Sequence, residues 1–214
     1  MDSNDIETKQ APSDTDLLIA TTAVQSSITR PTINLGEDTD LLILLLYYYE
    51  CGHMQLICRP NHDKKTVKSK IWDIGKTTCV LGLETCKVIP VIHAISGCDT
   101  TSKLYGVGKR AALKKFMDSQ TLNELGDVFL KISQMEDIIK SGERIITNMY
   151  GGVPSESLNV LGYKQFASKF ATGKEVIQIH TLPPTTEAAV YHSLRVYYQA
   201  QIWIGEPEIW LVYQ

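Results

Sequence analysis

The sequence has no apolar run near the ~20 residues that a single membrane-crossing helix needs. Its longest, LLILLLYYY (41–49) and VIPVIHAI (88–95), fall well short, so no membrane partner is expected. It also lacks an excess of either charge. Lys and Arg total 21 against 24 Asp and Glu, for a net charge of −3. Global attraction to nucleic acid is therefore excluded, and any such contact must come from a local patch. Paired cysteines are missing too. Cys51, Cys58, Cys79, Cys86 and Cys98 are an odd number, and the polar, acidic start does not read as a signal peptide. The expectation is a reduced, intracellular protein. Cys51, His53, Cys58 and His62 do not follow the paired spacing of a structural zinc site. There is no internal repeat and no low-complexity tract. What is present is 43% hydrophobic residues in 214 positions. That suffices for a real core in one domain, or in one domain with an appended helical part.

The chain is organised around HAISGCDTTSKLYGVGKRAALKKF (93–116). VIPVIHAIS (88–96) is apolar enough to be a buried helix, interrupted or bent near Pro90. GCDTTS then brings the chain to the surface at Asp99, with hydroxyls suited to capping. Gly106 and Gly108 bracket a turn where the backbone can approach something else closely. Lys109, Arg110, Lys114 and Lys115 follow on a helix expected to turn Ala111, Ala112, Leu113 and Phe116 inward. Bare amides opening a helix beside lysines suit a phosphate backbone. Gly-X-Gly before a helix is also an ordinary turn, and a lone Asp99 is also an ordinary helix cap.

Two acidic groups precede this stretch. Asp14 and Asp16 stand before an apolar run, where Ser13 or Asp14 can cap a helix over 16–27. After a short strand from Thr32 to Leu35 or Gly36 come Glu37, Asp38 and Asp40. On a turning backbone Asp38 and Asp40 can point the same way and converge on a cation. On a regular helix they diverge and act as an acidic cap. Each acidic group thus sits at the polar end of an apolar element.

The motifs DTD (14–16), EDTD (37–40) and GCD (97–99), followed by GVGKRAA (106–112), resemble the PIN-like nucleases of the flap-endonuclease type. That resemblance implies an α/β fold with a parallel sheet and a helix–hairpin–helix. It implies divalent-metal-dependent hydrolysis of DNA phosphodiesters. Asp14, Asp16, Asp38, Asp40 and Asp99 would hold Mg²⁺ or Mn²⁺, with Asp38, Asp40 and Asp99 as catalytic acids. Gly106, Gly108, Lys109, Arg110 and Lys114 would grip DNA. Paired divalent ions on carboxylates can activate water and stabilise a leaving oxygen. The portion carrying the family's first strand and its acid has no counterpart in residues 1–13. The expectation is therefore a partial domain, inactive through truncation or acting as a non-catalytic nucleic-acid or protein binding module. An incomplete sheet would expose apolar surface to a protein partner. DNA as the partner implies a nuclear location.

The rest is read from local pattern. MQLICRP (54–60) suggests a strand, Ile71–Trp72 another, and Lys64, Lys65, Lys68 and Lys70 a solvated hairpin. Residues 117–214 suggest helices, the clearest after Pro183–Pro184 with Thr185 or Thr186 capping, Glu187 in the first turn, and Gly205 with Pro207 closing. Tyr191, Leu194, Tyr198 and Ile202 form its expected core stripe, while His192, Arg195 and Tyr197 could contact a partner. His93 reads as a satisfied core histidine. LPPTTEAAVYHSLRVYYQAQIW together with HAISGCDTTSKLYGVGK resembles a group of often transposon-like animal proteins. The expected division is a tail (1–13), a partial nuclease-like domain (14–117) and a helical extension (118–214).

Overall fold

The computed structural model describes residues 7–12, 14–60, 71–173 and 176–205. The fold is mixed α/β and mostly helical, with nine α-helices and a three-stranded sheet among the described residues. The order is α1 (Thr15–Ser27), β1 (Thr32–Leu35), α2 (Thr39–Tyr48), β2 (Leu56–Arg59), β3 (Trp72–Asp73), α3 (Ile74–Leu81) and α4 (Leu83–Ser96). It continues with α5 (Lys109–Met117), α6 (Gln120–Asp127), α7 (Met135–Met149), α8 (Leu158–Ala171) and α9 (Thr186–Trp203). The charged hairpin with Lys64, Lys65, Lys68 and Lys70 lies outside the described residues, as do Ser13, His62 and Pro207.

The sheet is mixed, not all parallel. β1 pairs with β2 in parallel, from Thr32 opposite Leu56 to Leu35 opposite Arg59. β3 runs antiparallel to β2, with Cys58 opposite Trp72. The reason is local: Trp72–Asp73 returns against β2 and enters α3 at once, because Asp73 accepts the Lys76 amide at 3.1 Å and caps that helix. Leu56 and Cys58 are buried, whereas Ile33 and Leu35 on β1 are 60% and 50% exposed. Strand β1 thus carries exposed apolar side chains.

Helix α4 is the centre of the core. From Val88 to Ser96 every residue is buried, as befits a helix apolar on all sides. It packs against α2, α5, α6 and α9. Pro90 sits inside an uninterrupted helix, and the 97° change of direction falls at Gly82, between α3 and α4. A proline removes one backbone donor and crowds the preceding turn. Here the packing around α4 holds the helix together across that defect.

Helix α9 closes the core from the other side, and its buried face is not the expected stripe. Tyr191 is 67% exposed, whereas Ala189, Val196, Ala200 and Trp203 are buried. His192 and Tyr197 are buried as well and do not face a partner. Polar side chains occupy this face because each is bonded. His192 Nε2 donates to the Ile95 carbonyl at 2.9 Å, and Gln201 Nε2 donates to that of Phe129 at 2.7 Å. The Thr185 cap is as expected, its hydroxyl accepting the Ala188 amide at 3.2 Å. Helices α7 and α9 approach at Gly142, where a β-carbon would meet Ser193 Oγ and lie 2.6 Å from Ser193 Cβ.

Candidate nucleic-acid interface

The hairpin is built from the end of α4. Gly97 takes φ +109°, and a β-carbon there would lie 2.7 Å from Lys103 Cα. Glycine is required on both counts. The loop that follows is pinned inward by Thr101. Its buried hydroxyl donates to the Ala94 carbonyl at 2.6 Å and accepts the Cys98 amide at 3.0 Å. Thr100 donates to Gln199 Oε1 at 2.8 Å, tying the loop to α9. Leu104 and Val107 are buried and anchor the hairpin, whose turn closes through the Val107 amide on the Leu104 carbonyl at 3.1 Å. Gly106 has φ +74°.

Gly108 is different. Its φ of −79° and ψ of 156° suit any residue, and nothing lies within 4 Å of where its β-carbon would be. Neither backbone conformation nor internal packing calls for glycine there. It precedes α5 without a side-chain cap; its carbonyl takes the Ala111 and Ala112 amides at 2.9 and 3.0 Å, and no side chain caps the Lys109 and Arg110 amides ahead of them. An open cavity of about 520 Å³ lies here, with Lys103, Gly106, Gly108 and Lys109 in its wall. Along α5, Ala112 and Phe116 face inward, while Arg110 and Lys114 are exposed four residues apart. Ala111, expected inside, is exposed, since the single buried stripe of so short a helix is filled by Ala112 and Phe116.

The acids fall into two places. Asp14 caps α1, its Oδ1 accepting the Leu17 amide at 2.9 Å. Asp38 caps α2, its Oδ1 accepting the Asp40 amide at 3.0 Å. Asp40, already inside the helix, turns toward α4, and its Oδ1 accepts from His93 Nε2 at 2.6 Å. The pair Asp38 and Asp40 therefore diverges, as the helical alternative requires. Asp16 still lies within electrostatic reach of the others. Burial raises its carboxyl above the usual carboxylate value, and Asp38, Asp14 and Asp40 raise it further. Asp99 is exposed on the bend after Gly97 and is not among the acids that act on Asp16.

No three His, Cys, Asp or Glu side chains among the described residues come together to hold a metal ion. A divalent-metal centre on Asp14, Asp16, Asp38, Asp40 and Asp99 does not fit this arrangement, because three of the five are engaged in caps or with His93. Of the residues considered for zinc, Cys58 is buried with its thiol pushed up by burial, and His53 Nδ1 pairs with Ser27 Oγ at 3.2 Å, while His62 lies outside the described residues.

Sequence reasoning missed one constellation. His93 is a satisfied core histidine, 2% exposed, but what satisfies it are two expected site residues. The ring donates from Nε2 to Asp40, and Lys109 Nζ lies against the same ring, 3.0 Å from Nδ1 and 2.9 Å from Nε2. Lys109, one of the expected DNA-gripping residues, also links the hairpin to α2 through α4 by its ammonium. The Trp203 ring packs beside it, its centroid 5.7 Å from that of His93. The one signal was an unpaired histidine in an apolar run, which demands a partner without naming it. Compared with known protein families, curated proteins and solved structures, the chain matches none of them.

Proposed function

We propose that this chain is a PIN-like, flap-endonuclease-type domain whose function is to grip the backbone of duplex DNA through the hairpin at the head of α5. The observation that carries this reading is Gly108. It is a glycine in an ordinary conformation, with open space over it, at the start of a helix that has no side-chain cap. A backbone approached closely from outside accounts for it. Lys103, Arg110 and Lys114 are exposed around it and supply the cations that a net charge of −3 cannot supply globally. Direct amide and lysine contacts to phosphate position a duplex without reading its sequence.

A second reading, hydrolysis of DNA phosphodiesters, is supported by one observation. Asp16 lies within electrostatic reach of Asp38, Asp14 and Asp40 at the starts of α1 and α2, and Lys109 joins that corner to the hairpin through His93. The donor set does not fit a metal centre as arranged, so binding without turnover is the preferred reading. The exposed Ile33 and Leu35 support a protein partner on the sheet face.

The test is one labelled flap-bearing duplex assayed for binding and for Mg²⁺- or Mn²⁺-dependent cleavage, beside the variant Asp38→Ala, Asp99→Ala. Binding without cleavage supports the grip. Cleavage lost in the variant moves the reading to a nuclease. Absence of binding overturns both.

A further inference from the structure

Helix α8 buries one side and leaves the other open. Leu158 and Leu161 are buried, and α7 is the helix that α8 packs against most. At about 100° per residue, the opposite side carries Val160, Tyr163, Ala167 and Phe170, with Phe166 at its edge. That side is open: Tyr163 is 73%, Phe166 40% and Phe170 69% exposed. Spacings of three, four and three residues make the seam of a helix that packs on another helix. A solvated face would carry charge of both signs there, yet α8 contains no Asp or Glu. The Phe166 and Phe170 rings are stacked, with centroids 6.5 Å apart and planes within 14°. The apolar surface is therefore ordered before anything covers it.

We propose that this stripe is covered by the same stripe of a second copy of the chain, the two α8 helices running antiparallel about a two-fold axis. An antiparallel pair centred beside Gln165 sets Val160 of each copy opposite Phe170 of the other, and Tyr163 of each opposite Ala167 of the other. Each large side chain then meets a smaller one, as interdigitated packing requires. A two-fold interface demands this kind of self-complementarity, because both sides are the same patch. Charge permits the pairing as well. Lys164, on the flank of the seam, is held by Glu156 of its own chain at 2.6 Å, and Lys169 donates to Thr181 Oγ1 at 2.7 Å. Two copies therefore approach without bare like charges meeting. The area is also sufficient. An aromatic side chain buries about 150–250 Å², so the open parts of the three rings supply about 550–900 Å² over two copies. Val160, Ala167 and Ala171, all exposed, bring this to the ~1,000 Å² of a small specific interface. Such an interface gives a reversible dimer that dissociates on dilution.

The experiment is sedimentation velocity on the full chain at about 100 µM and about 1 µM. The expected result is a doubled mass at the higher concentration, lost at the lower. Tyr163→Glu and Ala167→Lys should each be monomeric at both concentrations. Their thermal midpoints in dilute solution should match wild type, since both positions are exposed. Mixed in equal amounts, the two variants should regain the dimer, because antiparallel pairing sets position 163 against position 167, whereas parallel pairing sets like against like. A wild-type chain that stays monomeric at about 100 µM, a dimer kept by either variant alone, or a mixture that stays monomeric overturns the proposal.

Discussion

His93 Nε2 stands 2.6 Å from Asp40 Oδ1, joining the first turn of α2 to the last turn of the buried helix α4 across 53 positions of sequence. His93 is 2% exposed and the Asp40 side chain 19%, so the bond is made where water cannot easily replace it. Asp40→Ala leaves the His93 N–H without an acceptor. Removing one partner of a buried bond to a charged group costs about 1.5–3 kcal/mol. Urea unfolding of Asp40→Ala should show a lowered midpoint with an unchanged slope. A midpoint equal to wild type would mean that the pair does not form.

Asp16 makes the opposite prediction. A carboxyl raised in the folded state holds its proton more tightly there than in the unfolded chain. It therefore lowers stability above its folded pKa, and the loss is relieved as pH falls through that value. Burial and then Asp38, Asp14 and Asp40 supply the rise. The stability of Asp16→Asn relative to wild type should increase between about pH 3 and about pH 6. Chemical denaturation across that range checks it, and a difference that shrinks with rising pH contradicts the crowding of these acids.

Asp73 behaves as an ordinary cap. The Lys76 amide holds its carboxyl below the usual value, with Gln55 and the Lys76 ammonium adding to that and burial opposing it. Its stabilisation is present above the unfolded carboxylate pKa and lost as pH falls through the lower folded one. Asp73→Ala should cost about 1 kcal/mol near neutral pH, a difference that denaturant titrations should find largely gone in acid.

The contact of Gly142 with Ser193 sets how closely α7 and α9 approach. Gly142→Ala should destabilise by about 1–3 kcal/mol through overpacking. Adding Ser193→Gly should recover part of the loss, since the room is returned from the other helix. Additive losses in thermal melts of the double variant would show that the two do not touch.

What the sequence made legible were features decided locally. Thr185 as a cap, the strand at Thr32–Leu35 and the turn through Gly106 all follow from a few adjacent residues. The acids were legible as acids, but their orientation was not. Whether Asp38 and Asp40 share a face depends on where α2 begins, and the cap on the Asp40 amide starts the helix between them. The face of α9 was misread because His192, Ser193, Gln199 and Gln201 are buried. Polar residues inside a core are permitted by hydrogen bonds to distant elements, such as Gln201 to Phe129 across 72 positions, which hydropathy cannot register. The link from Asp40 through His93 to Lys109 joins three elements and is tertiary throughout.

The central claim is that a DNA backbone is held at the open hairpin, and the glycines separate that claim from mere folding. Gly97→Ala should destabilise the chain, because a left-handed φ and the nearby Lys103 backbone both oppose a side chain, and the strain alone costs about 1–3 kcal/mol. Gly108→Ala should leave the thermal midpoint where it is, since nothing within 4 Å opposes the added carbon. The measurement is therefore duplex-DNA binding by wild type and Gly108→Ala across a salt series. The account predicts wild-type affinity that falls steeply with salt, a slope of about 0.9 per phosphate neutralised, and markedly weaker binding by Gly108→Ala at an unchanged midpoint. Salt-independent binding, or equal affinity in the two proteins, would contradict it.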